Sequence, residues 1–125
     1  CDASMPTWNI AHYTRDRVKG DKIPLEFLIR KQTKETAETF GLMDRGQIKE
    51  GYLADINIID HENLCVYKPE MVHDLPTGSR RIIQKAGGYI ATIKSGVVTF
   101  KNDQATGELP GTVLRGERTA EAISA

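Results

Sequence analysis

The sequence has little of what marks a specialised class of protein. Lys and Arg total 17 and Asp and Glu also total 17, evenly mixed, so no basic surface for nucleic acid is predicted. No apolar run approaches the ~20 residues of a membrane-spanning helix, and no signal sequence opens the chain. The two cysteines, Cys1 and Cys65, are isolated, which favours reduced thiols. We therefore expect a cytoplasmic protein with neither nucleic-acid nor membrane partners.

Signatures of a self-contained catalytic centre are also missing. The three histidines, His12, His61 and His73, form no HxH or HExxH spacing, and the cysteines form no CxxC motif, so a zinc site is not predicted from this chain alone. No nucleophile elbow, phosphate loop or dinucleotide-binding glycine motif is present. The residues therefore predict no catalytic group and no metal ligand in this chain.

Two short polar pairs could carry chemistry, and both have a structural interpretation that we prefer. Arg80 and Arg81 could clamp a carboxylate with two hydrogen bonds, but a turn followed by the strand-like residues 81–86 explains them equally well. His73 and Asp74 could form a general-base pair. Neighbouring side chains on an extended chain point to opposite faces, however, and rarely hydrogen-bond to each other.

The first helix is predicted over residues 8–18. Thr7 suits its N-cap, and the helix is expected to end before Gly20. Its apolar side would comprise Trp8, Ala11, Tyr13 and Val18.

Two further helices are predicted before residue 41. Pro24 suits the first turn of a helix over 25–32, and the apolar face of that helix would comprise Leu25, Leu28 and Ile29. Thr33 is predicted to cap a separate helix over 34–40, which points Ala37 and Phe40 inward and stops at Gly41.

From Ala54 onward the apolar residues recur with a period of two, which is typical of strands. Residues 54–60 alternate apolar and polar side chains. Residues 89–94 and 97–101 predict a hairpin joined by Ser95 and Gly96, because glycine tolerates the positive φ of such a turn. The tail, residues 106–125, is expected to be an extension held against the rest of the protein in its first part and frayed at its end. The change of period predicts an α+β chain.

Residues 33–60, TKETAETFGLMDRGQIKEGYLADINIID, resemble the end of the catalytic barrel in the amidohydrolase superfamily. The stretches CDASMPTW, HDLPTGSRRIIQKAGGYIATIKSGVVTF and TGELPGTVLRG extend the likeness, which is closest to the C-terminal portion of N-acyl-D-amino-acid deacylases (D-aminoacylases). The resemblance implies an α/β protein in which residues 1–46 complete a metal-dependent (β/α)8 barrel, the TIM barrel. Residues 47–125 would then belong to a small accessory β-sandwich domain.

The resemblance further implies that the parent enzyme uses a metal-activated water, with zinc as the cofactor, to hydrolyse the amide of a small-molecule N-acyl-D-amino acid. The Ser-Asp-x-Gly-x-His segment of that family is absent, and the chain opens abruptly. We therefore expect a C-terminal piece of a longer enzyme that binds no cofactor and is inactive by itself. Only Asp2 and Ser4, on the loop that leaves the eighth barrel strand, would stand at the active-site face.

Two other interpretations stay open. A dihydropyrimidinase- or dihydroorotase-type amidohydrolase shares the pattern GLxxxGxIxxGxxAD, although HDLPTGSRR and TGELPG argue against it. The second interpretation is a free-standing binding or interaction module with no enzymatic parent. Because helices that cover a barrel keep apolar faces, the chain alone is expected to self-associate.

Overall fold

The computed structural model describes residues 2–115, in which helices come first and antiparallel strands follow. A 3-10 turn at Asp2–Ser4 leads into α1 (Met5–Ile10), which continues as π-helical turns over Ala11–Asp16. After a loop, α2 (Leu25–Arg30) passes through π-helical turns at Lys31–Glu35 into α3 (Thr36–Thr39). The predicted α+β character is confirmed. None of these helices is long and apolar enough to cross a membrane.

The first helix begins earlier than predicted, and Thr7 does not cap it. Pro6 lies in its first turn, where the missing N–H of proline removes no helical hydrogen bond. Thr7 lies inside α1 and is buried together with Ile10. The predicted apolar side is wrong at its ends, because Trp8 and Val18 are exposed. The buried face instead comprises Thr7, Ile10 and Ala11.

The second and third predicted helices form one continuous helical segment. Thr33 does not start a new helix, since its hydroxyl donates to the carbonyl of Ile29, one turn earlier, at 2.7 Å. The segment ends as predicted at Gly41, which has a φ of 68°. The amides of Gly41 and Leu42 donate to Glu38 and Ala37 at 3.1 and 2.8 Å, the pattern of a Schellman cap. Ala37 is buried as predicted, but Phe40 is 73% exposed and the prediction for it is wrong.

Eight short strands follow the helices. They are β1 (Ile56–Ile59), β2 (Cys65–Val66), β3 (Glu70–Val72), β4 (Arg81–Ile83), β5 (Ala86–Gly87), β6 (Tyr89–Lys94), β7 (Val97–Lys101) and β8 (Gln104–Ala105). A four-stranded antiparallel sheet has the order β1-β6-β7-β8, and β2 pairs with β5 and β3 with β4. Residues 106–115 carry no regular structure. The predicted frayed end lies outside the described residues.

The predicted hairpin is confirmed as β6 and β7. Ser95 and Gly96 have φ values of 50° and 81°, as a two-residue turn between twisted strands requires. The strand predicted near residue 56 is also confirmed, with one irregularity. The register with β6 shifts between Ile58 and Ile59, and Ile58 is exposed while Ile59, on the opposite face, packs against the core.

The core lies where the helices meet the strands. Its buried residues are Ile10, Ala11 and Leu64, and the residues packed against them are Leu25, Ile29, Ile59 and Tyr89. Leu64, between β1 and β2, is fully buried. The packing therefore joins the helical part to the first strands and to the start of β6.

Residues 41–55 form a loop that connects the helices to the sheet. The amide of Leu53 donates to the carbonyl of Asp44 at 2.8 Å and closes the base of this loop. A chain of opposite charges runs along the base: Arg45 contacts Asp44 at 2.8 Å and Asp55 at 3.2 Å, and Asp55 contacts Lys94 at 3.0 Å. These contacts fix the end of the helical segment against the β6–β7 hairpin.

Candidate functional site

One face of the first helix carries hydroxyl groups toward the strands. Ser4, Thr7 and Thr14 are spaced by three and seven residues, so they lie on one side of the helix. The Ser4 hydroxyl donates to Oε1 of Gln84 at 2.5 Å, and the Thr7 hydroxyl lies 2.6 Å from that of Tyr89. The N-terminal turn is therefore hydrogen-bonded to residues some 80 positions away.

The far end of the same face is held by Thr14 and Arg15. The Thr14 hydroxyl donates to the carbonyl of Ile10 at 2.7 Å, so it accepts its second hydrogen bond from Nε2 of His61, also at 2.7 Å. This arrangement places a proton on Nε2 of His61. The contact joins the helix to the loop between β1 and β2.

Arg15 uses all five of its N–H groups. Nε and Nη2 donate to the carboxylate of Asp16 at 2.6 and 2.8 Å, Nη1 donates to the carbonyls of His61 and Glu62, and Nη2 donates to that of Leu64 at 2.8 Å. The hydrogen bond between the two side chains raises the pKa of Arg15 and lowers that of Asp16. Arg15 is thus a fixed tie between helix and loop.

An open cleft of about 680 Å³ lies on the four-stranded sheet. Its size falls within the range of small-molecule sites. Three aromatic residues line it: Tyr67, Tyr89 and Phe100. The polar residues that line it include Asn57, Lys85, Thr92, Asn102, Asp103 and Gln104. Asn57, Thr92 and Phe100 stand opposite one another across β1, β6 and β7, so their side chains share one face of the sheet.

The cleft is connected to the N-terminal turn by two short routes. Nε2 of Gln84 donates to the carbonyl of Tyr67 at 2.9 Å, while Oε1 of the same amide accepts from Ser4. Tyr89 reaches Thr7 directly, and its amide donates to Asp103 at 3.0 Å. A hydrogen bond between the Tyr67 hydroxyl and the Cys65 side chain raises the pKa of the Tyr67 phenol.

The predicted site residues are only partly described. The backbone of Asp2 lies in the 3-10 turn, and the Asp2 side chain lies outside the described structure. Ser4 is half-buried and bonded to Gln84. Within residues 2–115, no group of three or more His, Cys, Asp or Glu side chains is arranged to hold a metal ion.

The two polar pairs of the sequence have local partners. Arg81 does clamp a carboxylate with two hydrogen bonds, but the carboxylate is that of Asp74, at 2.7 Å for both contacts. This pairing lowers the pKa of Asp74. Nδ1 of His73 lies 3.4 Å from the carbonyl of Gly78. The contacts of Arg81, Asp74 and His73 therefore lie within and beside the turn between β3 and β4, and the turn is followed by a strand as the structural interpretation expected.

Sequence reasoning missed Gln84, Tyr89 and Arg15. Each of them has a partner more than 40 residues away along the chain, which no local motif identifies. The spacing of the hydroxyl residues on the first helix was the one available signal. It was passed over because the search for a buried face considered apolar residues alone.

Comparison with known proteins identifies the family. Residues 1–100 match the sequence profile of the Amidohydrolase family. The chain belongs to this family. Over 105 residues it is 33% identical to a D-aminoacylase of Alcaligenes xylosoxydans xylosoxydans, and this match covers 84% of the chain and 19% of the relative. Over 85 residues it is 34% identical to a dihydroorotase of Endomicrobium trichonymphae, and this match covers 67% of the chain and 20% of the relative. No solved structure matches it.

The chain spans about a fifth of the length of these two curated relatives. The resemblance seen in the sequence is confirmed at the level of the superfamily, and membership argues against a free-standing module. The two relatives carry different activities at nearly equal identity, so the comparisons leave the substrate open.

Proposed function

We propose that this chain is the C-terminal part of a metal-dependent amidohydrolase that hydrolyses the amide C–N bond of N-acyl-D-amino acids. The observation that carries the proposal is the extent of similarity. The match to the D-aminoacylase covers 84% of this chain, whereas the match to the dihydroorotase covers 67%. The additional similarity favours the deacylase over the alternative.

The family is generally metal-dependent, and a bound zinc ion would supply an activated water. The described residues of this chain do not provide ligands for it. His12 stacks on Trp8 with ring centroids 4.4 Å apart, and His61 is bonded to Thr14. No catalytic step is therefore assigned to residues 2–115. In this proposal the chain contributes the support of a site whose metal ligands lie elsewhere in the protein.

Exposed apolar residues support the proposed architecture. Phe27 and Phe40 stand exposed on the helical segments, where the remainder of a (β/α)8 barrel would cover them. The four-stranded sheet also carries exposed apolar side chains on its faces, among them Ile90, Val98 and Phe100. A second sheet of an accessory β-sandwich would bury such a face. The same residues support the expectation that the isolated chain self-associates.

The Asp2–Ser4 turn has a specific place in this proposal. It would leave the last barrel strand at the active-site face, as conserved barrel geometry places catalytic loops after the strands. The hydrogen bond from Ser4 to Gln84 then joins this face to the strands that follow.

Assays of the full-length protein that contains this chain test the proposal. We expect it to hydrolyse N-acetyl-D-amino acids in preference to the L-enantiomers, to lose activity on chelation and to regain it with added zinc. Turnover of dihydroorotate without turnover of N-acyl amino acids would favour the alternative amidohydrolase. Absence of turnover on every one of these substrates, with metal present, would refute the proposal.

A further inference from the structure

We propose that Gln84 and Tyr89 are positioning residues of the enzyme, which hold the Asp2–Ser4 turn and the start of α1 in one orientation. The inference rests on the proposed function, because it matters only if this turn stands at the active-site face. Neither residue is predicted from sequence to have any role in the site.

The two contacts are short and come from different parts of the strand region. Gln84 follows β4 and receives the Ser4 hydroxyl at 2.5 Å, while Tyr89 opens β6 and meets the Thr7 hydroxyl at 2.6 Å. Thr7 is only 5% exposed, so its hydrogen bond with Tyr89 is shielded from water. Two anchors three residues apart on one helix face restrict both translation and rotation of the turn.

Gln84 itself has one preferred orientation. Oε1 accepts from Ser4 and Nε2 donates to the carbonyl of Tyr67 at 2.9 Å. Flipping the amide would turn Oε1 toward the carbonyl of Tyr67, where two acceptors cannot form a hydrogen bond. The Gln84 side chain therefore holds the Asp2–Ser4 turn at a fixed position relative to the strands.

The helix does not fix its own beginning. Ser4 occupies the N-cap position of α1 but makes no side-chain capping bond to the helix. The nearest buried apolar side chain on the helix is that of Ile10, six residues and more than one turn beyond Ser4. Loss of the Gln84 or Tyr89 contact is therefore expected to displace the turn without unfolding the helix.

The test uses variants of the full-length enzyme. Tyr89→Phe removes only the phenolic hydroxyl, Thr7→Val removes its partner, and Gln84→Met removes both amide contacts. In each we expect kcat on the N-acetyl-D-amino acid to fall by about 10- to 100-fold, with KM changed less than about twofold. The Tyr89→Phe/Thr7→Val double variant should lose no more than the worse single variant, because both remove the same hydrogen bond.

A conservative variant and a control distinguish a positioning role from a nonspecific loss of structure. Gln84→Glu keeps an acceptor for Ser4 and should retain more activity than Gln84→Met. Thr99→Val removes a hydroxyl that donates to the carbonyl of Thr92 at 3.1 Å inside the β6–β7 hairpin, away from the turn. It should leave kcat within about twofold of the wild type.

Amide hydrogen exchange over residues 2–10 gives a readout that needs no turnover. It should become at least about tenfold faster in Tyr89→Phe and Gln84→Met and stay unchanged in Thr99→Val. Unchanged exchange in the first two variants would overturn the inference, and so would faster exchange with unaltered kcat. An inactive wild type would instead refute the proposed function and, with it, the role in catalysis, while exchange would still report whether the turn is held.

Discussion

Replacing Arg45 with Met should strongly destabilise the chain, because it removes a charged partner of a buried carboxylate. Asp44 is fully buried. Nε and Nη2 of Arg45 donate to the two oxygens of Asp44 at 2.8 and 3.2 Å, and the Arg45 side chain is 12% exposed. The hydrogen bond to Asp44 raises the pKa of Arg45, so the guanidinium stays charged throughout the working pH range.

The magnitude follows from the burial. Breaking a buried ion pair by removing one partner costs about 3–5 kcal/mol, since the remaining charge keeps its desolvation penalty. Arg81 and Asp74 supply a matched control, because they form the same two-bond contact with side chains 51% and 49% exposed. Arg81→Met should cost about 0–1 kcal/mol, as expected for an ion pair in water.

Urea unfolding at pH 7 measures the free energy of unfolding of both variants. The fluorescence of Trp8, the single tryptophan, reports on the first helix, in a different part of the chain from the loop. Asp44→Asn combined with Arg45→Met should be more stable than Arg45→Met alone, because a neutral amide is cheaper to bury than a carboxylate. Equal losses in Arg45→Met and Arg81→Met, or a loss below about 1.5 kcal/mol in Arg45→Met, would refute the reasoning.

Three further substitutions test the packing and the pH response. Gly46→Ala should cost about 1–3 kcal/mol more than Gly51→Ala in urea unfolding, because both have positive φ but only at Gly46 would a Cβ meet the preceding helix, at 2.9 Å. Leu64→Ala should lower the free energy of unfolding by about 2–5 kcal/mol, since the side chain is fully buried, and a smaller loss would contradict the assigned core. Hydrogen bonds from Asn63 hold the pKa of Asp60 below its usual 3.8, so they stabilise the fold above that pH and the effect fades as pH falls through the folded-state pKa. Asn63→Ala should therefore lower the free energy of unfolding more at pH 7 than in acid, and an equal loss at both would exclude this linkage.

Elements governed by local chemistry were predictable from the sequence. The β6–β7 hairpin follows from two strand-forming runs and the Ser95-Gly96 turn, and the end of α3 follows from the positive φ of Gly41. In both cases the residues that determine the backbone lie within a few positions of one another. The segment boundaries near residues 41 and 54 were correct for the same reason.

The errors concern side chains whose residue type suits more than one structural role. Thr7 and Thr33 are common N-cap residues, but Thr7 bonds to Tyr89 and Thr33 bonds back within a longer helix. Phe40 fits the apolar spacing, yet it falls at the C-cap, where the backbone leaves the helix and carries the ring into solvent. The candidate site suffered most, because its contacts span some 80 residues and no periodicity encodes them.

The loop at residues 41–55 is a suitable place for the insertion of a reporter or a tag. Its base is sealed by the Leu53-to-Asp44 hydrogen bond, whereas residues 47–51 at its tip are exposed and Ile48 is 90% accessible. Lengthening a flexible loop costs little, since the closure entropy grows only with the logarithm of its length. A fluorescent reporter or an affinity tag inserted between Ile48 and Lys49 would be carried on a closed stem, mechanically separated from both the helices and the sheet.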